Sequence, residues 1–250
     1  MHAARGYAPF HQSEVQDDVL AGAVAVAAAA PGQVAVFDLD GCLFDNRPRI
    51  VRIFHALASR HDLPDLLRVR PEHFASWDQR DTLRAAGLDE GRIAAVLPRF
   101  QRVFQHQFFS SAFCRFDDAM PGAARLVWEV YRAGASVVYL TGRHEEMRAG
   151  TLEALSDWGF PVQRPRTALL CKPDMGTDDT AFKDEALREI ALLGVPVLFF
   201  DNEPANCNVF AARHPGARVV WVETDHSPRP DRVPAEMPRV RGFLRTTDAT

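Results

Sequence analysis

The chain has 250 residues, 29 Lys plus Arg against 33 Asp plus Glu, and 47% hydrophobic residues, which is enough to bury the core of one or two domains and too apolar for a disordered polypeptide. The formal net charge of -4 leaves no strongly basic surface to neutralise duplex phosphates, which speaks mildly against nucleic acid as a partner without eliminating it. Of the 29 basic residues only Lys172 and Lys183 are lysines; the other 27 are arginines.

In chain order, residues 1–32 read as a loose or helical lead-in. Its most apolar run, Ala21 to Ala30, is ten residues long, too short to span a bilayer. It follows Glu14, Asp17 and Asp18, where an export signal would carry positive charge. Neither membrane association nor export is expected. Cys42, Cys114, Cys171 and Cys207 form no Cys-x-x-Cys pair and have no zinc-type histidine spacing, so reduced thiols in a cytoplasmic protein are expected.

Short apolar runs of strand length follow at Val34 to Phe37, Ser136 to Leu140, Thr167 to Leu170, Val195 to Phe200 and Arg218 to Val222. Their hydrophobicity is continuous rather than alternating, as in parallel strands covered on both faces. Between them lie helical stretches, Pro121 to Ala133, Glu145 to Trp158 and Asp179 to Leu193, each closing at a glycine. The expected fold is a doubly wound, Rossmann-like α/β domain of about five parallel strands, built from 33–46 and 117–250. Residues 47–116 break the rhythm. Ile50, Phe54 and Leu57, then Ile93, Val96, Phe100 and Val103, recur at helical spacing, and Phe74, Phe104, Phe108, Phe109, Phe113 and Phe116 add apolar bulk. This segment is read as an inserted helical subdomain with its own small core. Pro228 to Pro238 reads as a proline-rich tail.

Ligands of open α/β sheets bind at the carboxyl ends of the strands. The first strand ends in Asp38-Leu39-Asp40-Gly41, the second in Thr141-Gly142-Arg143 and the fourth in Asp201-Asn202-Glu203. Carboxylates about 4 Å apart repel by roughly 4 kcal/mol at a protein-like dielectric, so this edge calls for a cation, and oxygen ligands favour Mg²⁺. Asp38, last in its strand, is the candidate nucleophile for phosphoryl transfer. Asp40 is the candidate acid/base, and Gly41 lets the backbone turn sharply.

These residues resemble the haloacid dehalogenase-like hydrolases, whose first motif is an apolar strand followed by Asp-x-Asp-Gly, here Val36-Phe37-Asp38-Leu39-Asp40-Gly41. The resemblance implies a nucleophile at Asp38 and a general acid/base at Asp40. It also implies Mg²⁺ on the Asp38 side chain, the Asp40 carbonyl and Asp201. Thr141, in Leu140-Thr141-Gly142-Arg143, matches the hydroxyl residue that binds the phosphoryl group, with Gly142 and Arg143 beside it. Lys183 matches the lysine that neutralises phosphoryl charge. The insertion matches the family's helical cap by position only. The chain departs from the family at Cys42, often a threonine there; a thiol beside the site would explain thiol sensitivity without a catalytic role. It departs again at Asn202, where the fourth motif commonly has a second aspartate.

Several assignments stay open. Lys172 follows the third strand and competes with Lys183. Arg143 would either grip phosphate bidentately or form a surface salt bridge. Glu203 would reach the metal through water or cap the helix that Pro204 begins. His226 lies at the correct edge but on a loop. The leading expectation is a Mg²⁺-dependent phosphomonoester hydrolase acting through an aspartyl-phosphate on a small phosphorylated metabolite. The alternatives are a nucleic-acid 3′-phosphatase-like activity, which the Leu-Thr-Gly-Arg and Asp-Asp-x-x-Phe-Lys runs suggest, and a catalytically silent phosphate-binding module. The sequence leaves the oligomeric state undetermined.

Overall fold

A computed structural model describes residues 12–76 and 78–248; residues 1–11 of the expected lead-in lie outside them. Strand β1 (Gln33–Phe37) is buried along its whole length because it is flanked on both sides. It pairs in parallel with β4 (Ser136–His144) and β6 (Val195–Asp201). The sheet continues through β5 (Thr167–Lys172) at one edge and β7 (Arg218–Val222) and β8 (Arg239–Val240) at the other, in the order β5-β4-β1-β6-β7-β8. It thus has six strands, one more than expected. The extra strand, β8, is only two residues long and follows the proline-rich stretch, too short to register as an apolar run.

Successive residues of β1 feed opposite layers, as pleating requires. Ala35 and Phe37 pack in a cluster with Leu20 and Ala23 of α1 (Glu14–Ala28), Leu126 and Val130 of α5 (Ala123–Arg132) and Leu155 of α6 (Arg148–Asp157). Val34 and Val36 pack with Leu187 and Ile190 of α7 (Asp179–Leu193) and Phe210 of α8 (Pro204–Arg213). The described part of the lead-in is therefore mostly a core helix. It is capped by the Ser13 hydroxyl, which accepts from the Gln16 amide at 3.2 Å. The buried Gln16 side chain donates to the Leu244 carbonyl at 2.7 Å and accepts from the Arg241 amide at 3.0 Å. The helix expected from 145 opens with a 3₁₀ turn, Glu145–Met147, before α6 begins.

The insertion contains α2 (Arg47–His61), α3 (Gln79–Ala85) and α4 (Glu90–Phe108). Its separate cluster is centred on Ile53, Phe54, Leu57, Ile93, Val96 and Phe100. Phe54 and Phe100 stack with ring centroids 3.8 Å apart, each burial worth about 1.5–3 kcal/mol. A two-residue antiparallel ribbon, β2 (Phe44–Asp45) with β3 (Asp118–Ala119), joins the two crossings between insertion and sheet. The returning 3₁₀ segment Ser111–Phe116 lies against α6. Gly150 is needed there, because a Cβ would sit 2.0 Å from the Ser111 carbonyl oxygen, and its amide donates to the Ser111 hydroxyl at 2.7 Å. Among the described residues no helix is long and apolar enough to cross a membrane.

Candidate active site

Asp38 is the first residue beyond β1, and its amide continues the ladder by donating to the Phe200 carbonyl at 2.9 Å. This places its carboxylate at the carboxyl edge beside Asp201, the last residue of β6. The chain then turns back on itself: the Phe44 amide donates to Leu39 O at 2.8 Å and the Gly41 amide to Phe44 O at 2.9 Å. Gly41 has φ +76°, and a Cβ there would meet the side-chain Nδ2 of Asn202 at 2.4 Å. Glycine is required both by conformation and by space.

The lysine arrives from the opposite layer. Asp178 caps α7 by accepting from the Ala181 amide at 3.0 Å, and Lys183 follows just over one turn into the helix. Its Nζ lies 2.6 Å from Asp38 Oδ1 and 2.7 Å from Asp201 Oδ2. All three side chains are at most 7% exposed. Burial opposes the lysine charge, but Asp201 and Asp38 outweigh it and hold Lys183 well above the ordinary lysine range. Asp38 moves upward: burial is the largest cause, and the nearby Asp201 adds to it against the pull of Lys183. Asp201 is further held by the Glu203 amide at 2.8 Å and by Asn206 Nδ2, 3.2 Å from each carboxylate oxygen.

When both carboxyl groups are ionised, two carboxylates facing one ammonium leave a net negative charge in a buried site, which a divalent cation would offset. Among the described residues no three His, Cys, Asp or Glu side chains are grouped to hold a metal. The donor chemistry nevertheless fits Mg²⁺, which uses one or two carboxylates and fills its octahedron with carbonyls, water and phosphate. Asp38, Asp201 and the Asp40 carbonyl are the residues that would hold it. Asn202 adds a buried side-chain oxygen that has no partner, while its Nδ2 donates to the Asp225 carbonyl at 2.6 Å.

Thr141 is fully buried at the end of the regular pairing of β4. Pairing with β5 slips between Thr141 and His144, and in this irregular stretch the Thr141 hydroxyl accepts from the Arg143 amide at 3.2 Å. At Gly142 a Cβ would lie 2.3 Å from Asp179 Oδ2. That aspartate holds Lys172, whose Nζ lies 2.7 Å from Asp179 Oδ1 and 3.2 Å from the Thr177 carbonyl. Of the two lysines, the structure brings Lys183 and not Lys172 to the carboxylates.

Arg143 takes neither of the two roles considered for it. It is 1% exposed, so it is no surface ion pair, and its guanidinium is turned onto Asp40 and Asp117 instead of open space. Arg143 Nη2 donates to Asp40 Oδ1 at 2.5 Å and to Asp117 Oδ2 at 2.8 Å. Its Nε lies 3.1 Å from both Asp40 oxygens. Arg49 of α2, also fully buried, forms a tight ion pair with Asp117 and reaches Asp40 Oδ1 at 3.4 Å. Asn46 Nδ2 donates to Asp40 Oδ1 at 2.7 Å and Asp117 Oδ1 at 2.9 Å. Burial favours protonation of Asp40, but Arg143 and Arg49 overcome it and hold the carboxyl well below the usual range.

Asn46, Arg49 and Asp117 were not anticipated from the sequence. A usable signal was present: Arg49 shares a helix face with Ile53 and Leu57, and a charge on an apolar stripe needs a buried partner. Glu203 precedes α8 without capping it; its carboxylate accepts from the Ser227 amide and hydroxyl, each at 2.7 Å, and so ties down the loop after β7. His226 Nδ1 lies 2.8 Å from the Ser227 carbonyl. Cys42 is fully buried; burial, with Asp38 and Asp201 nearby, pushes its thiol well up, which removes the basis for thiol sensitivity. A cavity of about 330 Å³ lies between the end of α4 and the end of β4, lined by His106, Phe109, Ser110, His144 and Glu146 among others, but not by Asp38, Asp40 or Asp201.

No family model matches the chain, and no curated protein sequence matches it. Solved structures with a similar course include the Mycobacterium tuberculosis Protein Tyrosine Kinase A, at 21% identity and TM-score 0.48, covering 84% of this chain and 93% of that one. CbbY from Rhodobacter sphaeroides, solved in complex with phosphate, is 17% identical with TM-score 0.48, covering 86% and 95%. The class C acid phosphatase from Bacillus anthracis is 14% identical with TM-score 0.44, covering 77% and 63%.

Proposed function

We propose that the chain is a phosphomonoester hydrolase of the haloacid dehalogenase-like type, acting on a small phosphorylated metabolite through a phosphorylated Asp38. The observation that carries this reading is the Lys183 ammonium set between Asp38 and Asp201 at 2.6 and 2.7 Å. Three separate elements, β1, β6 and α7, spend buried charge on one point at the carboxyl edge of the sheet. A structural ion pair needs only two partners, and a buried cluster of this cost is poor evidence of stability alone.

An Asp38 oxygen attacks phosphorus in line, and the bond to the leaving oxygen breaks. That oxygen takes a proton from Asp40. Water then attacks the phosphoryl group, gives a proton back to Asp40 and releases Asp38 with inorganic phosphate. Lys183 offsets the charge of the transferring group, and the Thr141 hydroxyl would donate to a phosphoryl oxygen. Mg²⁺, when bound, would add electrostatic stabilisation of the phosphoryl oxygens. Asp40 in its ionised form is ready for the second step; the first needs its acid form, which Arg143 and Arg49 disfavour. Aryl phosphates, whose leaving groups need less protonation, should therefore turn over faster than alkyl phosphates.

The test is release of phosphate from 4-nitrophenyl phosphate by the purified chain, with Mg²⁺ and with EDTA. Mg²⁺-dependent turnover that disappears in Asp38→Asn supports the mechanism. Turnover that survives this substitution removes it.

A further inference from the structure

We infer that Asp117 is a positioning residue for Asp40: from the point where the chain leaves the helical insertion, it divides two buried guanidiniums so that one oxygen of Asp40 stays lightly held and available to exchange a proton. The inference rests on the phosphohydrolase reading above, in which Asp40 moves that proton.

The two oxygens of Asp40 are unequally used. Oδ1 accepts from Asn46 at 2.7 Å and from Arg143 Nη2 at 2.5 Å, with Arg49 at 3.4 Å. Among the described residues Oδ2 has one hydrogen bond, from Arg143 Nε at 3.1 Å, and the Asp40 side chain keeps 30% of its surface exposed. Oδ1 is thus the anchored oxygen and Oδ2 the working one.

Asp117 maintains the inequality from a fully buried position. It pairs with Arg49 through two donors and accepts from Arg143 at 2.8 Å. Two guanidiniums this close repel unless a second carboxylate lies with them, and both are buried. Asp117 is that carboxylate: two positive and two negative groups close the cluster at zero net charge. The Asn46 amide spans both carboxylates, at 2.7 and 2.9 Å, and fixes their separation. The Trp158 indole donates to the Asp117 carbonyl at 2.8 Å, holding its backbone. If Asp117 lost its charge, Arg49, which otherwise donates to the Phe108 carbonyl at 2.9 Å, would have Asp40 as its one remaining carboxylate among the described residues, and Oδ2 would be drawn into the ion pairs. Asn46 and Arg49 stand at the entry to the insertion and Asp117 at its exit, so both crossings meet at the acid/base.

The experiment compares 4-nitrophenyl phosphate with glycerol 2-phosphate, whose alkoxide leaving group needs a proton. In Asp117→Asn, kcat for the aryl ester should fall at least tenfold, with KM within threefold of the parent. The fall on the alkyl ester should be a further tenfold or more. Asp117→Glu, which restores the charge, should regain part of the alkyl activity. Asn46→Ala, which leaves every ion pair in place, serves if Asp117→Asn does not fold; it should show the same selective loss on the alkyl ester. Equal losses on the two esters in a folded variant, or no loss, overturn the positioning role and leave the phosphohydrolase reading standing. A parent protein inactive on both esters overturns both.

Discussion

Lys183 Nζ lies 2.6 Å from Asp38 Oδ1 although 145 residues separate them in the chain. The contact is made by a helix on one layer reaching over the sheet edge, and it gives a precise requirement on side-chain shape. An ammonium is compact, whereas a guanidinium is a wide planar fork. Lys183→Arg should fold normally and lose about 100-fold or more in kcat. Lys172→Arg, which keeps the pair with Asp179, should stay within threefold of the parent. Near-parental turnover in Lys183→Arg would end the charge-stabilising role given to this residue.

Asp38→Asn should remove turnover and make the metal-free protein more stable. Burial raises the carboxyl of Asp38 above its ordinary value, so the folded state binds that proton more tightly than the unfolded chain. The sign of the linkage follows: stability is fullest below the unfolded carboxyl value and declines as pH rises through the raised one. Asparagine abolishes this decline. A thermal melt in EDTA at neutral pH should move to higher temperature. A lower melting temperature would mean that the lost hydrogen bond to Lys183 outweighs the relieved charge.

Gly41→Ala should damage both stability and activity. Its φ of +76° disfavours a side chain, and the added carbon would sit 2.4 Å from the side-chain Nδ2 of Asn202. A strained backbone position of this kind costs on the order of 1–3 kcal/mol. Because Asn202 follows Asp201 directly, the push is felt by a candidate metal ligand. The expected result is a lower melting temperature with at least tenfold weaker Mg²⁺ activation, read by titrating Mg²⁺ against turnover; an unchanged titration would separate Asn202 from the site.

The four cysteines should be silent towards a thiol reagent until the protein unfolds. All are buried, and burial raises Cys171 to about 11 and pushes Cys42 and Cys207 up as well. Thiolate is the reactive form. Titration with a disulfide reagent at pH 8 should find no fast-reacting thiol in the native protein and four after denaturation. A rapid equivalent in the native state would contradict the packing around the first loop.

The parallel sheet was legible because its central strands are apolar on both faces, and Asp38, Thr141 and Asp201 were legible because each ends such a strand. Lys183 was harder, since helical position alone does not say which of two lysines faces the edge; the cap at Asp178 decides the phase of α7. Arg49, Asp117 and Asn46 were hidden for a different reason. Arginine is abundant in this chain, and only three-dimensional closure of the insertion brings a helix charge and a linker charge to Asp40. Strand β8 was missed because two residues carry no periodicity.

The close approach of Gly150 to Ser111 makes the two arms of the insertion mechanically unequal. The outgoing arm is welded to α6 through a backbone contact that leaves no room for a methyl group, while the incoming arm is tied to the outgoing crossing by the short ribbon and the ion cluster. For anyone transplanting a different helical module onto this sheet, the splice therefore belongs upstream of Ser110. Grafts cut at the apparent boundary near 116 would tear out a piece of the core's own surface.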